Sequence, residues 1–154
     1  VDLQIALTDS ASVVLPGIED IQRWANAAVK QAKSAENDLQ VTVRIVDETE
    51  ITQLNKDYRH KDGPTNVLSF PFESPPGVPA EECESLLGDV VVCAAVVAQE
   101  AVAQHKPTEA HWAHMLVHGI LHLLGYDHQT DDDAQKMEAL EINVLGDLGY
   151  PNPY

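Results

Sequence analysis

The sequence predicts an α+β fold: a single domain over residues 1–154, with a small mixed β-sheet packed by about five helices. Two observations carry that reading. The chain has 154 residues, 44% hydrophobic and 22% charged, an ordinary size and composition for one soluble domain with its own core. Its short segments of strand character and longer segments of helical period follow the order β-α-β-α-β-β-α-α-α. There is no internal repeat and no linker long enough to separate domains. The first crossover between strands is expected to be parallel and right-handed.

Each element has its own signal. Val1, Leu3, Ile5 and Leu7 share one face at period two, so residues 1–8 read as a half-buried strand. Pro16-Gly17 opens a helix with Ile18, Ile21, Trp24, Ala28 and Val29 on one side, and Asn37-Asp38 breaks it. Val41, Val43 and Ile45 form a second alternating strand, with Thr42 and Arg44 on its other face. A short helix over about 49–58 carries Ile51, Leu54 and Tyr58. Asp62-Gly63-Pro64 is a turn signal, and residues 66–72 form a third strand. Pro71 cannot donate to a ladder, so that strand ends there or lies at an edge. Residues 73–85 are rich in Pro and Glu without periodicity and read as a mobile loop. Leu86 to Val92 is a fourth strand, running into a helix of about 94–105.

Pro107 suits the first turn of a helix over about 107–124, and Gly125 suits its C′ position. The last helix starts at Thr130 or Asp131, where Asp131, Asp132 and Asp133 meet the positive end of its dipole. Ala134, Met137, Leu140, Val144 and Leu145 are its core face. Phe70 and Phe72 are read as core.

Charge and composition narrow the function. Nine Lys+Arg against 25 Asp+Glu give a net charge of −16. Bulk electrostatics therefore oppose binding to nucleic acid or to an anionic membrane, and a polyanion must be held by a local basic patch. Arg44, Lys56, Arg59 and Lys61 supply such a cluster. No apolar run approaches the roughly 20 residues needed to span a bilayer, and the first residues alternate without a basic region, unlike a signal peptide. Cys83 and Cys93 are not in CxxC spacing and read as free thiols of a reducing cytoplasm.

The chemistry is concentrated in one segment. Five of the seven histidines, His111, His114, His118, His122 and His128, lie within residues 111–128. His118 and His122 are four apart and stand on one helix face, a turn from each other. Gly125 can take a positive φ and end the helix, which lets His128 return toward the same point. The offsets 0, 4, 7 and 10 for His118, His122, Gly125 and His128 are those of the HExxHxxGxxH zinc site of metzincin proteases. Three imidazoles leave a fourth position open, the mark of catalytic zinc. His114 and His118 form a rival pair at the same spacing. It ranks second because His122 adjoins the turn that returns His128. His111 and His114 are expected to pack or to support the ligands. Metzincins carry a Glu after the first His as general base. Here that residue is Gly119, which removes the base a peptidase needs.

The segment His118-Gly119-Ile120-Leu121-His122-Leu123-Leu124-Gly125-Tyr126-Asp127-His128 closely resembles the HGxLHLxGYDH motif of the YbeY family of bacterial endoribonucleases and rRNA maturation factors. Tyr58-Arg59-His60-Lys61-Asp62-Gly63-Pro64-Thr65-Asn66-Val67-Leu68-Ser69-Phe70-Pro71 is a second matching block and Leu86-Leu87-Gly88-Asp89 a third. The resemblance implies a single α+β domain holding one Zn2+ through His118, His122 and His128. It implies cytoplasmic cleavage of single-stranded RNA in maturation of the small-subunit rRNA 3′ end and in ribosome quality control. The implied partners are rRNA and the ribosome or small-subunit assembly proteins, with no membrane and no DNA. An arginine important in the family matches Arg59; the family usually has Gly where this chain has His60.

On this reading Arg59 is the catalytic residue, its planar fork holding the scissile phosphate. Lys56, Arg59 and Lys61 bind substrate, with Arg44 as a possible extension of the basic track. Asp127 is expected to support a ligand structurally, and both Asp127 and His60 are candidates for proton transfer. The alternatives are a non-catalytic zinc-containing ribosome assembly factor and, behind it, a metallopeptidase.

Overall fold

The computed structural model describes residues 2–7, 15–33, 39–83 and 85–154. Its four strands are β1 (Asp2–Leu7), β2 (Gln40–Val46), β3 (Val67–Pro71) and β4 (Leu86–Cys93). They form one mixed sheet in the order β1-β2-β4-β3. β1 and β4 each run parallel to β2, and β3 is antiparallel to β4. The helices are α1 (Ile18–Lys33), α2 (Glu48–Arg59), α3 (Ala94–Ala103), α4 (Thr108–Leu123) and α5 (Asp131–Asp147). Order and class match the sequence reading. Val1, Thr8 and the helix break expected at Asn37-Asp38 lie outside the described residues.

Strand position follows from side-chain pattern. β4 is central and ends in an unbroken apolar run, because both its faces are covered. Val90 and Val92 join the main core with Val41, Val43 and Ile45 of β2. Val91 and Cys93 face the opposite side, with Val46, Leu68 and Ile51 of α2. β3 lies at the edge and ends at Pro71, where a missing N–H costs no ladder bond. The 73–85 segment carries one turn of 3-10 helix, Ala80–Cys83.

Three expectations of burial and one of a helix boundary fail, each near the end of an element. Ile18, in the first turn of α1, is 61% exposed. Tyr58, in the last turn of α2, is 64% exposed, its ring edge-on to Phe70 with centroids 5.2 Å apart. Phe72 lies beyond β3 and is also exposed, whereas Phe70 packs on the smaller core. Pro107 is the N-cap of α4, one residue before the expected first turn. Helix ends protrude past the sheet, so period alone overstates their burial.

α4 crosses the middle of the molecule and is buried nearly all round, from His111 to Val117 and again at Gly119, Ile120, Leu121 and Leu123. It packs on the sheet, and α1, α3 and α5 pack on it. Its His111 and His114 are therefore interior groups that need partners. Among the described residues no helix is long and apolar enough to cross a membrane.

Candidate metal centre

Two helix ends build the site. At the end of α4, Gly125 takes φ 100, its N–H donates to the His122 carbonyl at 3.1 Å, and the Tyr126 N–H donates to the Leu121 carbonyl at 3.0 Å. That is a Schellman turn, with Tyr126 tucked against the main core. The chain reverses, and Asp127 holds the new direction by accepting the His128 N–H on Oδ1 at 2.7 Å. Asp127 thus fixes the backbone that carries His128.

α2 ends in the same way. His60 takes φ 56, its N–H donates to the Lys56 carbonyl at 3.2 Å, and the Lys61 N–H donates to the Asn55 carbonyl at 3.2 Å. The position calls for a left-handed conformation, which glycine takes without the steric cost that His60 bears. The turn sends Arg59 and Lys61 into one cleft while His60 does not line it.

The structure brings His118, His122 and His128 together, with one ring nitrogen of each lying within 4.8 Å of the others. The Nε2 atoms of His118 and His122 are 3.1 Å apart. Tetrahedral zinc with about 2.05 Å bonds would space its nitrogen ligands by roughly 3.3 Å. The helical pair already comes close to that spacing, and the exposed His128 ring lies beside it, its centroid 5.1 Å from that of His122. Burial first, then the neighbouring His118 and His128 rings, push the His122 imidazole down to about 4. It is neutral near pH 7, the form that ligates a metal. The three residues can hold a metal ion.

The supporting group that sequence reasoning missed is Glu141. It sits on α5 and is 0% exposed. One carboxylate oxygen is 2.5 Å from His118 Nδ1, and the other is 3.1 Å from His114 Nε2 and accepts the Tyr154 hydroxyl. Burial pushes its carboxyl up, but the hydrogen bonds from His114, His118 and Tyr154 and the nearby His118 outweigh that and hold it at about 2. Glu141 thus separates His114 from His118, and the rival pair does not form a site. His111, also buried, lies 2.9 Å from Glu100 of α3 and is a satisfied interior histidine on that nitrogen. A lone Glu in a helix otherwise read for its apolar face carries no sequence signal, since only helix packing aims it at α4.

The cleft, about 410 Å³, is lined by the three histidines together with Arg59, Lys61, Asp62, Asn66 and Ser69 among others. Among the described residues Arg59 makes no ion pair, so its fork is available to an anion. Lys56 lies three residues back on α2 and is exposed but does not line the cleft. Arg44 departs from the expected track: it is bound to Glu50 and faces elsewhere. The cleft floor is fixed where Ser69 Oγ donates to the Gly119 carbonyl at 2.8 Å. A Cβ on Gly119 would meet Val90 Cγ1 at 2.7 Å. The residue that lacks a peptidase's Glu is thus one where the sheet leaves no room for a side chain.

Residues 7–149 match the family model described as Endoribonuclease YbeY. The protein of that name from Alcanivorax borkumensis is 60% identical over 131 residues, covering 85% of this chain and 74% of its own length. Its namesake from Hydrogenovibrio crunogenus is 54% identical over 155 residues, covering 99% and 96% respectively. The solution structure of a Thermotoga maritima protein is similar, with a TM-score of 0.59 and 27% identity over 96% of this chain and 91% of that one. With the histidine motif assembled in space and the similarity running over nearly its whole length, the chain belongs to the YbeY endoribonuclease family.

Proposed function

We propose that this chain, as one domain over residues 1–154, is a cytoplasmic zinc-dependent endoribonuclease. Its substrate is single-stranded RNA, in maturation of the small-subunit rRNA 3′ end and in ribosome quality control. The observation that supports it is the shared cleft, lined both by three converging imidazoles and by Arg59, which makes no ion pair among the described residues. An all-nitrogen set of three suits zinc and leaves a coordination position for chemistry. When bound, zinc supplies Lewis acidity and lowers the pKa of its water to about 7.

The residues of the chain do the rest. Arg59, held at the end of α2 by its left-handed turn, grips two oxygens of the scissile phosphate and stabilises charge growing there. Lys61 adds a second cation to the same cleft, and Lys56 extends the reach along α2. Asp62, read from sequence only as part of a turn, lines the cleft and is a carboxylate within the reaction space. The strong overall negative charge repels RNA elsewhere and makes binding local, so substrate choice rests on the ribosome or its assembly proteins.

The test measures zinc content and cleavage of a single-stranded RNA together. Arg59→Glu is expected to abolish cleavage with zinc retained, and His118→Ala to lose both. Unchanged cleavage in Arg59→Glu removes Arg59 from the mechanism. Zinc-loaded wild type that cuts no RNA leaves an assembly factor instead.

A further inference from the structure

We propose that Tyr154 is a positioning residue of the metal centre, acting through Glu141 on the ring of His118. The inference rests on the reading that His118, His122 and His128 hold the metal. It concerns a residue that lies beyond the stretch matched by the family model, which ends at 149.

Three donors converge on the two oxygens of Glu141: His118 on one, His114 and Tyr154 on the other. A carboxyl group surrounded by donors acts as an ionised acceptor. His118 must then carry its proton on Nδ1, which leaves its Nε2 lone pair facing the His122 ring and the metal position. His114 carries its proton on Nε2, consistent with a buried Nδ1 that has no hydrogen-bond partner among the described residues and is left as a bare acceptor. One carboxylate thereby sets the tautomer of the ligand and of its neighbour. Carboxylate support of this kind fixes ring orientation and raises ligand basicity.

Tyr154 completes the acceptor's shell from a different part of the chain. Its ring stands edge-on to His114 with centroids 5.3 Å apart. The segment carrying it is tethered: Lys106 Nζ donates to the Pro153 carbonyl at 2.8 Å, and the Tyr154 N–H donates to Asn152 Oδ1 at 2.8 Å. Most of Tyr154 is exposed, yet its hydroxyl reaches a carboxylate that solvent does not touch. A cavity of about 230 Å³ is lined by His118, His128, Met137, Glu138, Glu141 and Tyr154, among others. Tyr154 thus forms part of the wall of a space that borders two of the three histidines. Without its hydroxyl one Glu141 oxygen loses a partner, and the carboxylate is free to turn away from His118.

The experiment uses the full chain, stripped of metal and titrated with Zn2+ against a chromophoric chelator, with the visible absorption spectrum of the Co2+-loaded protein as second readout. Tyr154→Phe removes only the hydroxyl. It is expected to bind zinc about 3- to 10-fold more weakly and to change the cobalt bands, with Glu141→Gln weaker by about 10- to 100-fold. Wild-type zinc affinity together with a wild-type cobalt spectrum in Tyr154→Phe overturns the proposal. Where Glu141→Gln fails to fold, Tyr154→Phe decides alone. That failure leaves the triad standing, whereas unchanged zinc content in His118→Ala overturns the triad itself.

Discussion

Acidifying the metal-free protein from about pH 7 to about pH 4.5 destabilises it through His122. Burial, followed by the His118 and His128 rings, holds this imidazole at about 4 in the fold, against 6.5 when free. Between those values the unfolded chain binds a proton that the folded chain refuses. Stability from this group is therefore full above about pH 6.5, falls as the pH drops toward 4, and loses nothing more below that. A gap of about 2.5 pH units, at about 1.4 kcal/mol each, sets a ceiling of about 3.5 kcal/mol. His122 is only half-buried, and solvent screening brings the effect to about 2 kcal/mol. The net charge of −16 acts in the opposite sense, since acid relieves self-repulsion in the compact state. Comparison with His122→Gln separates the two. Urea unfolding followed by circular dichroism, with a chelator present, should show the wild type losing about 2 kcal/mol more than the variant across this range. Parallel pH profiles would refute the reasoning.

Other outcomes follow from particular contacts. Gly119→Glu places a side chain where even a Cβ meets Val90 at 2.7 Å. It is expected to cost about 3 kcal/mol or more by overpacking and a buried charge, read as a lowered Tm, and to confer no peptide hydrolysis in a casein assay. His60→Gly relieves a left-handed residue at φ 56 and should raise stability by about 0.5–1 kcal/mol in denaturant unfolding, without changing cleavage. With Arg59 and Lys61 as the cations that line the cleft among the described residues, RNA affinity measured against salt should give a shallow slope, about −1.5 in log–log form for single strands. A slope implying six phosphate contacts would point to a second RNA surface.

Much of this molecule is legible along the chain because its signals are local. Strand and helix periods, the stop at Gly125, the cap at Thr130 and the edge position allowed by Pro71 each depend on neighbours within a few residues. So does the candidate metal set: two of its histidines are one helical turn apart, and the third follows a turn whose geometry needs one glycine. Arg59 was legible only through its motif, since one exposed arginine resembles another. What the tertiary structure alone decided are contacts between elements distant in sequence. Glu141 reaches His118 across 23 positions, Tyr154 reaches Glu141 from beyond the last helix, and α2 delivers Arg59 to the cleft while Glu50 holds Arg44. Those pairings follow from how helices pack on the sheet. Hydrophobic burial sets that packing without regard to which polar groups it brings together, so no local pattern announces them.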